Sequence, residues 1–183
     1  MTRFFLVPAA VEFYAHIDYN RERNSKEGFM QKIASFQVDH NLLTPGIYVS
    51  RVDFSDIVTY DLRFKTPNAG DYLDPAAAHT IEHLFATAVR SGPLGASTVY
   101  FGPMGCLTGF YLIFKGVSHA DAIREIRRIV QWIADFSGTI PGSEKKECGN
   151  YRFHNLEQAR REAAAFGAVI QNWTESDLLY PGD

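Results

Sequence analysis

The sequence predicts an α+β fold, a small antiparallel β-sheet with helices packed on one face. Three observations carry it. Ile47–Phe54 and Ile57–Phe64 read as a strand pair around Ser55-Asp56. Ser97–Phe101 and Thr108–Lys115 are rich in β-formers and flank a turn containing two glycines and a proline. Three further stretches carry apolar residues at helical spacing. A chain of 183 residues with 46% hydrophobic content forms one domain with a real core. A net charge of -3 excludes an electrostatic nucleic-acid binder. No apolar run approaches a membrane span.

Residues 1–29 read as an N-terminal extension of unassigned role, and 30–183 as the single domain. Pro8 and Glu12 break the early apolar run too soon for a signal-peptide core, so the expected location is the cytoplasm. Asn20–Gly28 is a solvated charge run, and Met30 is a candidate start. Ser35–His40 alternates like a strand. In the second strand Val58, Tyr60, Leu62 and Phe64 share a core face, while Thr59, Asp61 and Arg63 share the other. By residue type alone, Arg63 there is a solvent-facing charge and His40 a structural residue.

The helix that follows is well specified. Asp74-Pro75 supplies an N-cap and a proline at the first helical position. Ile81, Leu84, Phe85 and Ala88 recur at helical spacing, and Ser91-Gly92-Pro93 ends the run. Within it lies His79-Thr80-Ile81-Glu82-His83, the inverted form of the H-E-x-x-H metallopeptidase motif. Four residues apart on one face, the two imidazoles form a clamp for a borderline divalent ion, with Glu82 beside them to move protons. The same five residues also fit a surface helix with two solvated histidines.

Gly102–Cys106 places a thiol on a glycine-lined turn, open to substrate or packed as a small residue. Ser118–Phe136 is a helix with Ser118 and Asp121 as a capping pair and Ile123, Ile126, Val130 and Ile133 as its stripe. Glu144–Asn150 is a charged loop holding the second cysteine, Cys148, a candidate third metal ligand. Asn155 and Gln158 cap a last helix with Leu156, Phe166, Val169 and Ile170 on its apolar side. The two cysteines sit in dissimilar settings, and reactive or metal-bound thiols suit an intracellular chain better than a disulfide.

Five segments together resemble S-ribosylhomocysteine lyase, the LuxS or autoinducer-2 synthase family. They are Ser-Phe-Gln-Val-Asp-His (35–40), Asp-Leu-Arg-Phe (61–64), His-Thr-Ile-Glu-His-Leu (79–84), Gly-Pro-Met-Gly-Cys-Leu-Thr-Gly (102–109) and Cys-Gly-Asn-Tyr (148–151). The resemblance covers residues 33 to about 175, and Leu107 departs from the polar residue usual after the cysteine. It implies a LuxS/inverzincin-like metalloenzyme fold and a homodimer with active sites at the interface.

The resemblance further implies that His79, His83 and Cys148 hold one divalent metal per subunit, Fe²⁺ in the cell and Zn²⁺ or Co²⁺ in preparations. It implies that Glu82 and Cys106 are the acid/base pair and that Ser35, His40 and Arg63 surround the substrate. Glu82, Cys106 and Cys148 are assigned to the metal half of the pocket, and Ser35 and His40 to a neighbour's site. Ser35 and His40 can line one site only if the chain there bends, because a regular strand would turn them to opposite faces.

The implied reaction cleaves S-ribosylhomocysteine to homocysteine and 4,5-dihydroxypentane-2,3-dione, the autoinducer-2 precursor of quorum sensing and a by-product of methyl-cycle recycling. The carbonyl migrates along the opened ribose before β-elimination, which requires a Lewis acid and two proton carriers. The rival reading is an inverzincin-type metallopeptidase with Glu157 as third ligand. A fold stabilised by structural zinc is a further alternative.

Overall fold

The computed structural model describes residues 37–182. The extension read at 1–29 and the candidate substrate contact Ser35 lie outside the described residues. The elements run β1 (Gly46–Asp53), β2 (Ile57–Arg63), α1 (Pro75–Arg90), β3 (Thr98–Pro103), β4 (Gly109–Lys115), α2 (His119–Asp135) and α3 (Leu156–Ile170). The sheet has the order β1-β2-β4-β3, with every neighbouring pair antiparallel. This is the expected α+β arrangement, with its strand and helix limits within a few residues of those read from sequence.

Local chemistry fixes the helix starts. The Asp74 carboxylate accepts the Ala77 amide at 2.8 Å, and Pro75 opens α1. Ser118 accepts the Asp121 amide at 3.1 Å at the start of α2. Asn155 accepts the Gln158 amide at 3.1 Å at the start of α3, while the Gln158 side chain turns away to Glu162.

The helices cover one face of the sheet. Val58, Tyr60 and Leu62 of β2 join Ile47, Phe101, Phe110, Leu112 and Phe114 in a core shared with all three helices. Phe85, Phe101, Phe110, Phe64 and Phe166 form an unbroken line of ring contacts, 4.0 to 5.2 Å between centroids, from α1 through the sheet to α3. Each such pair contributes roughly 0.5–1.5 kcal/mol beyond its buried area. On α3 the stripe runs Ala159, Ala163, Phe166 and Ile170, and Val169 is 44% exposed, contrary to its sequence assignment. Position 169 is turned off the line that Phe166 and Ile170 share.

One expectation about the other face is corrected. Arg63 is buried, at 3% exposure, and so are Asp61 and Thr59. Alternation tells which side chains share a face but not whether that face is covered. Here the C-terminal segment covers it. Trp173 donates its indole N–H to the Ile47 carbonyl at 2.8 Å, and Val49 donates its amide to the Leu178 carbonyl at 2.8 Å. Tyr180 stacks on Tyr48 at 5.1 Å and donates its hydroxyl to Asp61 at 3.0 Å. Gly46 makes this closure possible, since a Cβ there would lie 2.3 Å from the Trp173 ring.

The alternation over Ser35–His40 does not make a strand in its described part. Asp39 accepts the Asn41 amide on its side chain at 2.9 Å and the Leu42 amide on its carbonyl at 3.1 Å, which turns the chain. An irregular entry into β1 is therefore present before the sheet begins.

Candidate active site

Helix α1 carries the imidazole pair. His79 Nδ1 lies 2.7 Å from the Phe153 carbonyl, and His83 Nδ1 lies 2.8 Å from the Pro141 carbonyl. A carbonyl can only accept, so both rings carry their proton on Nδ1 and leave the Nε2 lone pair bare, the arrangement that orients metal-ligating histidines. Gly142, at φ +69°, lets its loop pass the His83 ring at close range, with a Cβ position 3.2 Å from Nδ1.

Cys148 closes the group from the following loop. Its Sγ lies 3.5 Å from His79 Nε2 and receives the Asn150 amide at 3.4 Å. Nitrogen and thiolate donors at ordinary Zn²⁺ bond lengths of about 2.1 and 2.3 Å stand about 3.5 Å apart on a tetrahedron. The donor atoms of His79, His83, Cys148 and His154 all lie within 4.8 Å of one another. These residues fit a divalent ion in both donor type and spacing. Glu82, half-buried, lines the same cleft of about 470 Å³ together with His79, His83, Glu147 and Cys148.

His154 is the residue that sequence reading missed. Its ring stacks on His79 at 4.3 Å and stands across His83 at 4.9 Å. Thr80 donates its hydroxyl to the Ala76 carbonyl, so its oxygen accepts from the Asn155 amide and from His154 Nδ1, at 2.9 and 3.3 Å. Nε2 of His154 is left buried without a hydrogen-bond partner. Burial, followed by the neighbouring His79 and His83, pushes this imidazole below its ordinary range, so it stays neutral. The available signal was its place just before the Asn155 helix cap, which docks on Thr80 inside the H-x-x-E-H turn.

The structure gathers a second group on the sheet face that does not meet the helices. Cys106 is exposed, and its Sγ lies 3.0 Å from the Thr108 hydroxyl, which also contacts the Arg63 guanidinium. Arg63 pairs with Asp61 at 2.5 Å, both side chains being buried. Burial pushes the Asp61 carboxyl up, while Arg63, Tyr180 and, least of all, His40 draw it down. Cys106 thus sits with Thr108 and Arg63 and is not among the residues lining the cleft of the imidazole pair. That differs from its sequence assignment to the metal half.

The β3–β4 hairpin explains this placement. Leu107, at φ +58°, donates its amide to the Met104 carbonyl at 2.9 Å and accepts Leu73 N–H at 2.9 Å. Gly109 then lets β4 approach β2, since a Cβ there would lie 2.2 Å from the Leu62 carbonyl oxygen. Glu157, the third ligand of the peptidase reading, points to solvent on α3 and pairs with Arg161.

The profile of the S-ribosylhomocysteinase (LuxS) family matches residues 33–177. The chain belongs to the LuxS family. Among curated relatives of this LuxS chain, the S-ribosylhomocysteine lyase of Desulfotalea psychrophila is 49% identical over 158 residues, covering 83% of this chain and 99% of the relative. The S-ribosylhomocysteine lyase of Clostridium acetobutylicum is 47% identical over 157 residues, covering 83% and 99%. That of Borreliella afzelii is also 47% identical over 157 residues, covering 83% and 100%. The LuxS match begins at residue 33 and ends before the C-terminal strap is complete, leaving Leu178 and Tyr180 outside it.

Proposed function

We propose that this chain is an S-ribosylhomocysteine lyase, a metal-dependent carbon–sulfur lyase that releases homocysteine and 4,5-dihydroxypentane-2,3-dione. The observation that carries the reading is the group His79, His83 and Cys148 with Glu82 in one cleft of a LuxS-family chain. His79, His83 and Cys148 hold one divalent ion per subunit, Fe²⁺ in the cell and Zn²⁺ or Co²⁺ in preparations. When bound, that ion supplies Lewis acidity toward the carbonyl oxygens of the opened sugar.

The thioether leaves from C5, so a carbonyl must first reach C3. Each of two shifts removes a proton from one carbon and returns one to its neighbour, with no net oxidation and no organic cofactor. A final proton leaves C4 as the thiolate departs from C5. Two carriers in different environments suit such a sequence. Cys106, beside the Arg63 guanidinium, serves as the base at carbon. Glu82 handles the protons at oxygen and the elimination step. Arg63, His40 and Ser35 bind the sugar.

The pocket is completed by a second copy of the chain. Support comes from the sheet itself, which separates the imidazole pair on the helix side from Cys106 and Arg63 on the other side. One copy contributes the metal half with Glu82, and its partner the thiol half. Exposed apolar side chains of β1 and β3, Val52, Val99 and Tyr100, offer surface for such a homodimer.

Residues 30–183 form the lyase domain, and 1–29 precede it as an extension. No helix among the described residues is long and apolar enough to cross a membrane, and a cytoplasmic location suits a chain with two free thiols. The deciding experiment incubates purified, metal-loaded protein with S-ribosylhomocysteine and measures free thiol. Homocysteine release that disappears on chelation supports the reading, and none from fully loaded protein overturns it.

A further inference from the structure

We propose that Tyr180 is a positioning residue for the Cys106 thiol, acting through Asp61 and Arg63. The inference rests on the reading of Cys106 as a proton carrier, and it concerns a residue that lies beyond the LuxS match at 33–177.

The chain of contacts is continuous. Tyr180 donates its hydroxyl to Asp61 Oδ2 at 3.0 Å, and the same oxygen receives Arg63 Nη2 at 2.5 Å. Through its other terminal nitrogen Arg63 reaches the Thr108 hydroxyl, which lies 3.0 Å from Cys106 Sγ. Tyr180, Asp61 and Arg63 are 7%, 1% and 3% exposed, so little water screens these contacts.

Arg63 therefore serves two acceptors, the Asp61 carboxylate on one side and the Thr108–Cys106 pair on the other. Whatever charge Asp61 keeps is drawn from the guanidinium and denied to the thiolate. A hydroxyl donated to Asp61 Oδ2 takes up part of that charge and leaves more of Arg63 for Cys106. Burial pushes the Asp61 carboxyl up, and the Arg63 charge beside it pulls it back. Tyr48 from β1, Tyr111 from β4 and His40 also face the pair. Burial and the nearby Asp61 charge raise the phenols of Tyr48, Tyr111 and Tyr180, so all three stay protonated. Tyr180 alone among them donates to Asp61 within hydrogen-bond distance in the described residues.

Tyr180 is held for this task. It stacks on Tyr48 at 5.1 Å, and its segment is strapped to β1 by the Val49 amide on the Leu178 carbonyl at 2.8 Å. Removing only the hydroxyl keeps the stack and the strap.

The test uses the metal-loaded full chain and two readouts: steady-state cleavage, and iodoacetamide alkylation of Cys106 at pH 7 followed on its own peptide by mass spectrometry. Tyr180→Phe should keep its melting temperature and KM, while kcat and the alkylation rate fall in parallel, by about tenfold for a hydrogen bond to a charged group. Asp61→Asn, which frees Arg63, should speed alkylation, and in that background Tyr180→Phe should change nothing further. Unchanged alkylation in Tyr180→Phe, or an equal loss when Asp61 is already Asn, overturns the proposal. Should Tyr180→Phe not fold, the Asp61→Asn rate decides, and no acceleration there overturns it. Turnover by Cys106→Ala would instead sink the acid/base reading, while the alkylation rates still report on Tyr180.

Discussion

Cys148 Sγ stands 3.5 Å from His79 Nε2, although 69 residues separate them along the chain. The loop thiol is thereby placed at the bare nitrogen of a ring whose other nitrogen is already committed to the Phe153 carbonyl. Cys148→Ala should lose bound metal, whereas Glu157→Ala, at an exposed position paired with Arg161, should retain it. Elemental analysis of the purified variants checks both. Full metal content in the Cys148 variant would remove that residue from the ligand set.

Cys106 is a free, exposed thiol tied by one hydrogen bond to Thr108. Cys106→Ala should fold, keep its metal and lose turnover by about a thousandfold, within the range of a general acid/base group. Homocysteine release at near-normal rate would show that the proton carrier lies elsewhere.

Because Glu82 and Cys106 lie on opposite sides of the sheet, they are the sharpest pair for a complementation experiment. Inactive Glu82→Gln and inactive Cys106→Ala proteins are mixed under conditions that exchange subunits. A composite pocket gives each heterodimer one intact site and one doubly altered site, so about half of the heterodimer's activity returns. Heterodimers that form and stay inactive would show that each chain builds its own site.

Gly109 sets how closely the Cys106 hairpin approaches Arg63. Gly109→Ala would force a Cβ to within 2.2 Å of the Leu62 carbonyl oxygen, and backbone must move to relieve it. A loss of roughly 2 kcal/mol is expected, lowering the melting temperature by about 4–8 °C for a chain of this size. An unchanged melting curve would mean that the two strands part without cost.

Asp177 is expected to tie the C-terminal strap to pH. The Thr174 hydroxyl and amide hold its carboxyl below the usual carboxylate range. A depressed folded value stabilises the capping turn above the unfolded carboxylate range, and that contribution is lost as pH falls through the folded value. Relative to the intrinsic exchange rate at each pH, hydrogen exchange at the Val49 amide, which bonds to the Leu178 carbonyl, should therefore speed up on acidification. In Asp177→Asn that acceleration should be absent. An equal acceleration in the variant would assign the acid sensitivity to another group.

The sequence by itself determined the local elements and the imidazole pair. Alternation placed Val58, Tyr60 and Leu62 on one face, Asp74-Pro75 started α1, and the four-residue spacing of His79 and His83 set their rings on one side of it. These rest on short-range rules, since strand period, helix period and caps act over a few residues. Tertiary structure decided what those rules cannot reach. The cover that buries Asp61 and Arg63 comes from Tyr180, which is 119 residues from Asp61 in the chain. His154 joins the imidazole pair because the cap of α3 docks on Thr80, across 75 residues. Cys106 stands with Arg63 because Gly109 lets two strands close together. Each of these is a long-range contact whose partners carry no local pattern, so only the folded chain brings them together.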